Sequence, residues 1–345
     1  MLRKNKMQTQ ILCADEKTIP FVAEQIRLGQ LVAIPTETVY GLAANGMDSR
    51  AVEQIFVAKG RPQDNPLILH IATMQMWSMV VDTIPNDAKK LAKAFWPGPL
   101  TIILPHNGTV AKEVTAGLDT VAVRMPNHPV ALQVILQSGV PLAAPSANLS
   151  GSPSPTTAQH VLQDMNEKIS CILDGGSCQV GLESTVIGLD LEQPVLLRPG
   201  YITKEQMETV LQKKIQIADA VTQSLKQGQQ PASPGMKYKH YAPKACITII
   251  KAKKEQYYEY VNQLKDKQAV ALCFAEDTAR IALPYVVYGK ENDPASQSKE
   301  LFSALRKLDE MQANRVYARC PDVEGIGLAV YNRLLRAAGF RVIEL

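Results

Sequence analysis

The stretch LVAIPTETVYGLAANGMDSRAVEQIFVAKGRPQDNPLILHI, residues 31–71, decides how this chain is read. It spells strand, tight polar turn, helix, basic loop and strand. Leu31 to Ile34 is an apolar run stopped by Pro35, and Thr36, Glu37 and Thr38 put polar side chains at the strand exit. Tyr40-Gly41 closes the turn. Ser49 is placed to cap a helix whose apolar positions Val52, Ile55 and Phe56 recur at helical spacing. Lys59-Gly60 ends that helix, with a cation in the last turn and a glycine just past it. Arg61 to Pro66 is a loop stiffened by prolines, and Leu67 to Ile71 re-enters the core with His70 among apolar neighbours. Two strand exits and a basic loop this close together point to an anion pocket beside a sheet. Arginine offers a planar fork for phosphate or carboxylate, and lysine a compact charge. Taken singly, Lys59 reads as a helix-end charge, Arg61 as a surface ion pair and His70 as a satisfied core histidine. The combination is what points to a ligand.

Working outward, 345 residues are enough for two domains. A chain 46% hydrophobic and 20% charged can bury a full core, which excludes a disordered chain. A formal charge of +4 suits anionic ligands but is too small to argue for nucleic acid by itself. The six cysteines are scattered, with no C-x-x-C pair and no metal-ligand spacing, so reduced thiols in a reducing compartment are expected. The N-terminal MLRKNKMQTQ has no signal-peptide apolar core and no run approaches a membrane span, which makes the cytoplasm the default and predicts no membrane partner.

Along the chain, helices are predicted at 18–28, 73–82, 87–95 (capped by Asn86) and 129–137. Strands are predicted at 100–104, 120–124, 142–144, 169–173, 186–189 and 195–197. Trp96-Pro97-Gly98-Pro99 reads as a fixed structural corner. Thr203 and Gln206 form a capping box for the next helix. Because strands and helices mix without strict βαβ alternation, residues 1–215 are expected to form an α/β domain with a twisted mixed sheet. From 216 to 245 the apolar period is lost and the chain reads as a long linker. Its second half, with Lys237, Tyr238, Lys239, His240 and Tyr241 between prolines, suits a strap over a pocket, and a basic aromatic segment can also bind RNA. Residues 246–345 alternate strands (246–251, 269–274, 285–288, 315–319) with helices (254–265, 276–281, 295–310, 325–338). That order predicts a smaller, doubly wound parallel sheet, Rossmann-like. Gly325-Ile326-Gly327 follows the last of these strands and is not a dinucleotide fingerprint. No catalytic cluster is legible in this second domain.

The sequence holds no G-x-x-x-x-G-K-[ST] loop, G-x-S-x-G elbow, H-E-x-x-H or kinase set. The candidate ligand groups are instead Lys59, Arg61, Asn65, His70, Arg124, Ser146, Ser184 and Arg198, mostly where a strand or helix gives way to a loop. Arg124 has an equally valid reading as half of a structural ion pair. The segment NLSGSPSPTT (148–157) has the composition of a flexible linker. It also lies between a strand exit and a helix, where hydroxyls and backbone N–H groups can hold phosphate oxygens.

PTETVYGL (35–42), KGRPQDNPL (59–67) and LILHI (67–71) resemble the YrdC-type threonylcarbamoyl-AMP synthase family. FWPGPLT (95–101), VRMP (123–126), APSAN (144–148), STVI (184–187) and RPG (198–200) follow in the family's order, and SPGMKYKHYAP (233–243) is similar to the linker of its two-domain form. The resemblance implies a nucleotidyltransferase: L-threonine and bicarbonate (or CO2) give a carbamate, whose oxygen attacks the α-phosphate of ATP. Pyrophosphate leaves, and L-threonylcarbamoyl-AMP feeds threonylcarbamoyladenosine formation in tRNA beside the anticodon. It implies Mg2+ accompanying ATP, a downstream tRNA threonylcarbamoyl-transferase complex and weak tRNA binding. By motif, Thr38, His70, Arg124, Ala144 and Ser184 hold threonine. Arg61, Asn65, Thr120, Ser146, Ser154 and Arg198 hold ATP. Lys59 and Arg61 carry the chemistry, with Lys59 near the carbamate or the phosphates. The loop offers Ser150, Ser152 and Ser154, and the linker offers Tyr238 and Tyr241, for closure over the nucleotide. Two other readings stay open: an RNA-binding module without catalysis, which steeply salt-dependent tRNA affinity would favour, and a carbamoyl-transfer enzyme using carbamoyl phosphate.

Overall fold

The computed structural model describes residues 8–189, 193–223, 241–266 and 268–345. In the opening stretch, β2 (Val32–Ile34), which follows β1 (Gln10–Cys13), turns at Thr36–Tyr40 and returns as β3 (Gly41–Asn45). The sequence reading missed β3 and took Gly41 for the end of a turn. The strand forms because GLAAN is small and apolar enough to lie antiparallel on β2 while passing close to another backbone. A Cβ on Gly41 would stand 3.3 Å from that of Ala144. The helix Ser49–Lys59 is capped by Asp48, whose carboxylate accepts from the Arg50 N–H at 2.9 Å; Ser49 is its first residue rather than its cap. Ala51, Val52, Ile55 and Phe56 bury its inner face. Truncating Ile55 to alanine there would cost about 2–5 kcal/mol. Gly60 ends the helix in the left-handed region at φ 60°, as the sequence reading requires.

The remaining strands of this sheet are β4 (Ile68–His70), β5 (Leu100–Pro105), β6 (Thr120–Arg124), β7 (Leu142–Ala143), β8 (Cys171–Asp174), β9 (Thr185–Gly188), β10 (Val195–Arg198) and β11 (Gln216–Ile217). Among the described residues they form one mixed sheet of 11 strands in the order β1-β8-β2-β3-β7-β4-β6-β5-β9-β10-β11. The first body therefore extends past residue 215. Residues 216–217 pair parallel with β10, and a turn at Asp219–Val221 buries Ala220 and Val221, where the loss of apolar periodicity had suggested a linker. Two helices also differ from expectation. The segment from 73 is a single short helix, Met74–Ser78, capped by Thr73. The next is Asn86–Phe95, which follows Pro85 with no side-chain cap, so Asn86 is its first residue.

The C-terminal sheet is all-parallel, as expected from its alternation. β12 (Cys246–Lys251), β13 (Ala269–Cys273), β14 (Tyr285–Val287), β15 (Arg315–Arg319) and β16 (Val342–Glu344) lie in the order β14-β13-β15-β12-β16. The segment expected as a helix at 276–281 is a 3-10 turn, Ala275–Arg280. The two bodies share apolar packing: Val39, Leu182 and Tyr241 are buried with the C-terminal core. Polar contacts add direction. Ser298 donates to the Val180 carbonyl at 2.7 Å, and Arg306 reaches Pro153 at 2.6 Å and Asp164 at 2.7 Å. No helix among the described residues is long and apolar enough to cross a membrane.

Candidate functional site

The sheet register assembles the site. β4 and β6 run parallel with His70 opposite Arg124, and β7 runs antiparallel beside β4, with Leu142 opposite His70 and Ala143 opposite Leu69, so that Ala144 comes back alongside Ile68. Two strands thus end on one edge, the usual position of a ligand crevice in such sheets, and the chain returning through Ala144 lines its side. The β2–β3 turn delivers Thr38, and the helix ending at Gly60 delivers Lys59 and Arg61. The segments flanking β9 and β10 deliver Ser184 and Arg198. Together they line one cleft.

Ten of the sequence-predicted residues line it: Thr38, Lys59, Arg61, His70, Arg124, Ala144, Ser146, Ser184, Arg198 and Tyr241. Asn65, Thr120 and Ser154 do not line it. Thr120 opens β6 at the end opposite Arg124, roughly 13 Å away at the rise of an extended strand. Ser154 is fully buried and donates to Glu183 at 2.5 Å, while Ser150 and Ser152 line the cleft. Asn65 is buried with both amide atoms unpartnered. Tyr238, with Lys237, Lys239 and His240, lies outside the described residues.

Arg124 is the best-anchored cation. Its Nε donates to the Gly98 carbonyl at 3.2 Å and its Nη1 to Thr38 Oγ1 at 2.8 Å, and its Nη2 lies 2.7 Å from Glu37. Both readings of Arg124 hold: it is half of a buried ion pair and it faces the cleft. A guanidinium has five N–H groups, and Nη2 meets Glu37 as an ion pair without a hydrogen bond, so donor capacity remains for a ligand. The Trp96–Pro99 corner is thus more than a structural stop, since the Gly98 carbonyl orients Arg124. Only glycine fits there, because a Cβ would meet the Phe95 carbonyl oxygen at 2.2 Å.

Lys59 contradicts its plainer reading as a helix-end charge. It is 2% exposed, and its ammonium turns inward to the Ser146 carbonyl, the Asn148 carbonyl at 2.6 Å and Asn148 Oδ1 at 3.4 Å. Burial, then the neighbouring Arg61, hold its pKa well below the ordinary lysine value. Arg61 lines the cleft, and its Nη2 donates to the Asn65 and Pro66 carbonyls at 3.3 and 3.0 Å. His70 is buried and donates Nδ1–H to the Ile68 carbonyl at 3.3 Å. Burial, then the nearby Arg124, bring its pKa down to about 3, which keeps the ring neutral and Nε2 an acceptor.

Ser184 and Arg198 form one unit. Arg198 Nε donates to the Ser184 carbonyl at 3.0 Å and Nη2 to its hydroxyl at 3.1 Å, and Thr101 shares that hydroxyl at 2.7 Å. Glu183 also lines the cleft and was missed by sequence reasoning, although it directly precedes the STVI motif. Burial pushes its carboxyl up, but Arg333 and Arg198 more than offset this and hold it below the ordinary glutamate value. Among the described residues Lys59, Arg61, Arg124 and Arg198 face a single lining carboxylate across the cleft, so the interior favours a polyanion. Among the described residues no group of three His, Cys, Asp or Glu could hold a metal ion.

Residues 24–200 match the Sua5/YciO/YrdC family, described as "Telomere recombination", and residues 202–339 match "Threonylcarbamoyl-AMP synthase, C-terminal domain". Two relatives named threonylcarbamoyl-AMP synthase, from Pyrococcus abyssi and Bacillus subtilis, are each 44% identical. The first match covers 96% of this chain and 97% of the relative, the second 97% of both. A crystal structure of Pyrococcus abyssi Sua5 complexed with L-threonine superposes with a TM-score of 0.90 at 43% identity, covering 98% of this chain and 99% of that one.

Proposed function

This chain belongs to the two-domain Sua5/YrdC family of threonylcarbamoyl-AMP synthases, and from that premise we propose that its cleft joins L-threonine, bicarbonate and ATP into L-threonylcarbamoyl-AMP. The observation that carries the reading is four cations around one cleft containing, among the described residues, a single carboxylate. Such a site suits a nucleotide's phosphates and an amino acid's carboxylate together. The chemistry asks for positioning and charge stabilisation rather than a covalent nucleophile.

In this reading the threonine carboxylate takes the donor capacity that Arg124 has left. Thr38, His70, the Ala144 backbone and Ser184 surround the rest of the amino acid. Neutral His70 offers Nε2 to a hydroxyl or an ammonium. The threonine nitrogen adds bicarbonate with loss of water, the carbamate oxygen attacks the α-phosphorus of ATP, and pyrophosphate departs. Arg61, Ser146, Arg198 and Tyr241 hold the nucleotide, joined by Asn65, whose buried amide has partners to gain, and by Thr120. Lys59 braces the 146–148 loop beside the reacting groups. Ser150 and Ser152 offer the loop's hydroxyls, and Ser154 acts through Glu183. The one lining carboxylate among the described residues, Glu183, is already bonded, so Mg2+ enters on the ATP phosphates rather than in a protein cage. The product passes to a tRNA threonylcarbamoyl-transfer reaction, with weak tRNA contact of its own. The six unpaired cysteines support a cytoplasmic setting.

The test is pyrophosphate release by the purified full-length chain with ATP, Mg2+ and bicarbonate, with and without L-threonine. Release is expected to require both threonine and bicarbonate. Release indifferent to threonine, or none at all, sinks the reading.

A further inference from the structure

We propose that Arg333, on the C-terminal helix Gly325–Ala337, is a positioning residue: its guanidinium fixes the Ser184 side of the cleft against the Arg198 side. The inference rests on the reading above only for what the cleft does. Arg333 is fully buried, and each of its nitrogens is used. Nε donates to Glu183 Oε2 at 2.9 Å and Nη2 to the Glu183 carbonyl at 3.2 Å. Nη1 donates to the Pro199 carbonyl at 2.7 Å and to Asn332 Oδ1 at 3.0 Å.

Each partner in the first domain is one residue from a cleft residue, Glu183 from Ser184 and Pro199 from Arg198. Inside the cleft Arg198 already bonds Ser184, so two arginines from two domains hold one pair of segments from opposite sides. The approach is close: a Cβ on Gly200 would lie 2.3 Å from the Thr185 nitrogen. The hold also spreads. Glu183 gives its second oxygen to Ser154, and the Arg333 guanidinium lies over the Tyr241 ring at 5.9 Å. Other arginines cross the same interface differently. Arg336 reaches the Ala220 carbonyl at 2.6 Å, in a segment that lines no part of the cleft. Only a planar fork can reach a carboxylate and two carbonyls of separate segments at once, which a lysine's point charge cannot do.

The experiment compares full-length Arg333→Lys and Arg333→Met with Arg336→Met as the interface control. In ligand-free protein, amide hydrogen exchange over 183–185 and 198–202 is expected to rise in both Arg333 variants and to stay at the wild-type level in the control. With substrates, kcat/KM for ATP is expected to fall about tenfold to a hundredfold, the usual cost of a misplaced binding group, with Arg333→Lys the milder variant. Wild-type exchange in those two segments overturns the proposal. So does faster exchange spread evenly over the whole interface, since that describes docking alone. If Arg333→Met does not fold, Arg333→Lys and Glu183→Gln decide by the same exchange measurement. A wild-type chain without threonine-dependent pyrophosphate release would fail the functional reading, while the exchange comparison would still decide Arg333.

Discussion

Both domains bury charge at the ends of their strands, but they use it differently. In the C-terminal sheet, Arg319 at the end of β15 pairs with Asp277 and Glu291. Asp277 also accepts from the Tyr258 hydroxyl at 2.7 Å and the Phe274 N–H at 2.9 Å. Neither Arg319 nor Asp277 lines the cleft. In the first sheet, Arg124 at the end of β6 is anchored by Gly98, Thr38 and Glu37 and does line it. A buried charge cluster therefore does not by itself mark a site. What marks one is a charge turned toward a cavity, and of these two clusters that holds for Arg124.

Arg124→Ala should break this comparison most strongly. Removing one partner of a buried pair strands Glu37, and a stability loss of about 3–5 kcal/mol is expected by urea unfolding. Adding Glu37→Gln should return part of that stability and none of the threonine-dependent turnover. If turnover returned as well, Arg124 would be a structural residue like Arg319. Arg61→Ala is expected to cost roughly 2–5 kcal/mol of nucleotide stabilisation, read by calorimetric titration of ATP. Undiminished ATP affinity would place Arg61 outside the site.

Asp277→Asn should act on the C-terminal cluster alone. It is expected to lower stability by about 1–3 kcal/mol and to leave KM for ATP and threonine unchanged below the unfolding transition. A shift in either KM would show that the C-terminal cluster communicates with the cleft. The smallest effect is in the acid limb. His70 stands at about 3 in the folded chain against an ordinary 6.5, because burial and then Arg124 disfavour its charged form. The unfolded chain binds the extra proton in that window. Stability is thus full above 6.5 and declines as the pH falls toward 3. His160, brought down to about 4 by burial and then Arg306, titrates in part of the same window. Unfolding of His70→Gln at pH 5 and pH 7 should show a smaller difference than the wild type does. An unchanged difference would remove His70 as a contributor.

How much of this was legible follows from range along the chain. The Gly60 helix end and the Thr203–Gln206 capping box are fixed by contacts within a few residues, and both stand in the structure. Ser49 and Asn86 were each read as a cap and are instead the first residue of their helices: Asp48 takes the orphan N–H at the first, and Pro85 precedes the second with no side-chain cap. β3 escaped because GLAAN lacks the β-branched and aromatic residues that announce a strand; tertiary pairing makes it one.

The amino-acid sequence alone determined most of the elements, the division into a mixed and a parallel sheet, and the four Lys and Arg residues that line the cleft among the described residues. Those are local matters of periodicity, capping and residue type at strand exits. Only the tertiary structure decided that Lys59 turns inward to the 146–148 loop, that Ser150 and Ser152 rather than Ser154 reach the cleft, and that Arg333 grips Glu183 from 150 positions away. No periodicity announces an arginine on the buried side of a distant helix. Its place is set by a carboxylate and two carbonyls that come together only when both domains have folded and docked.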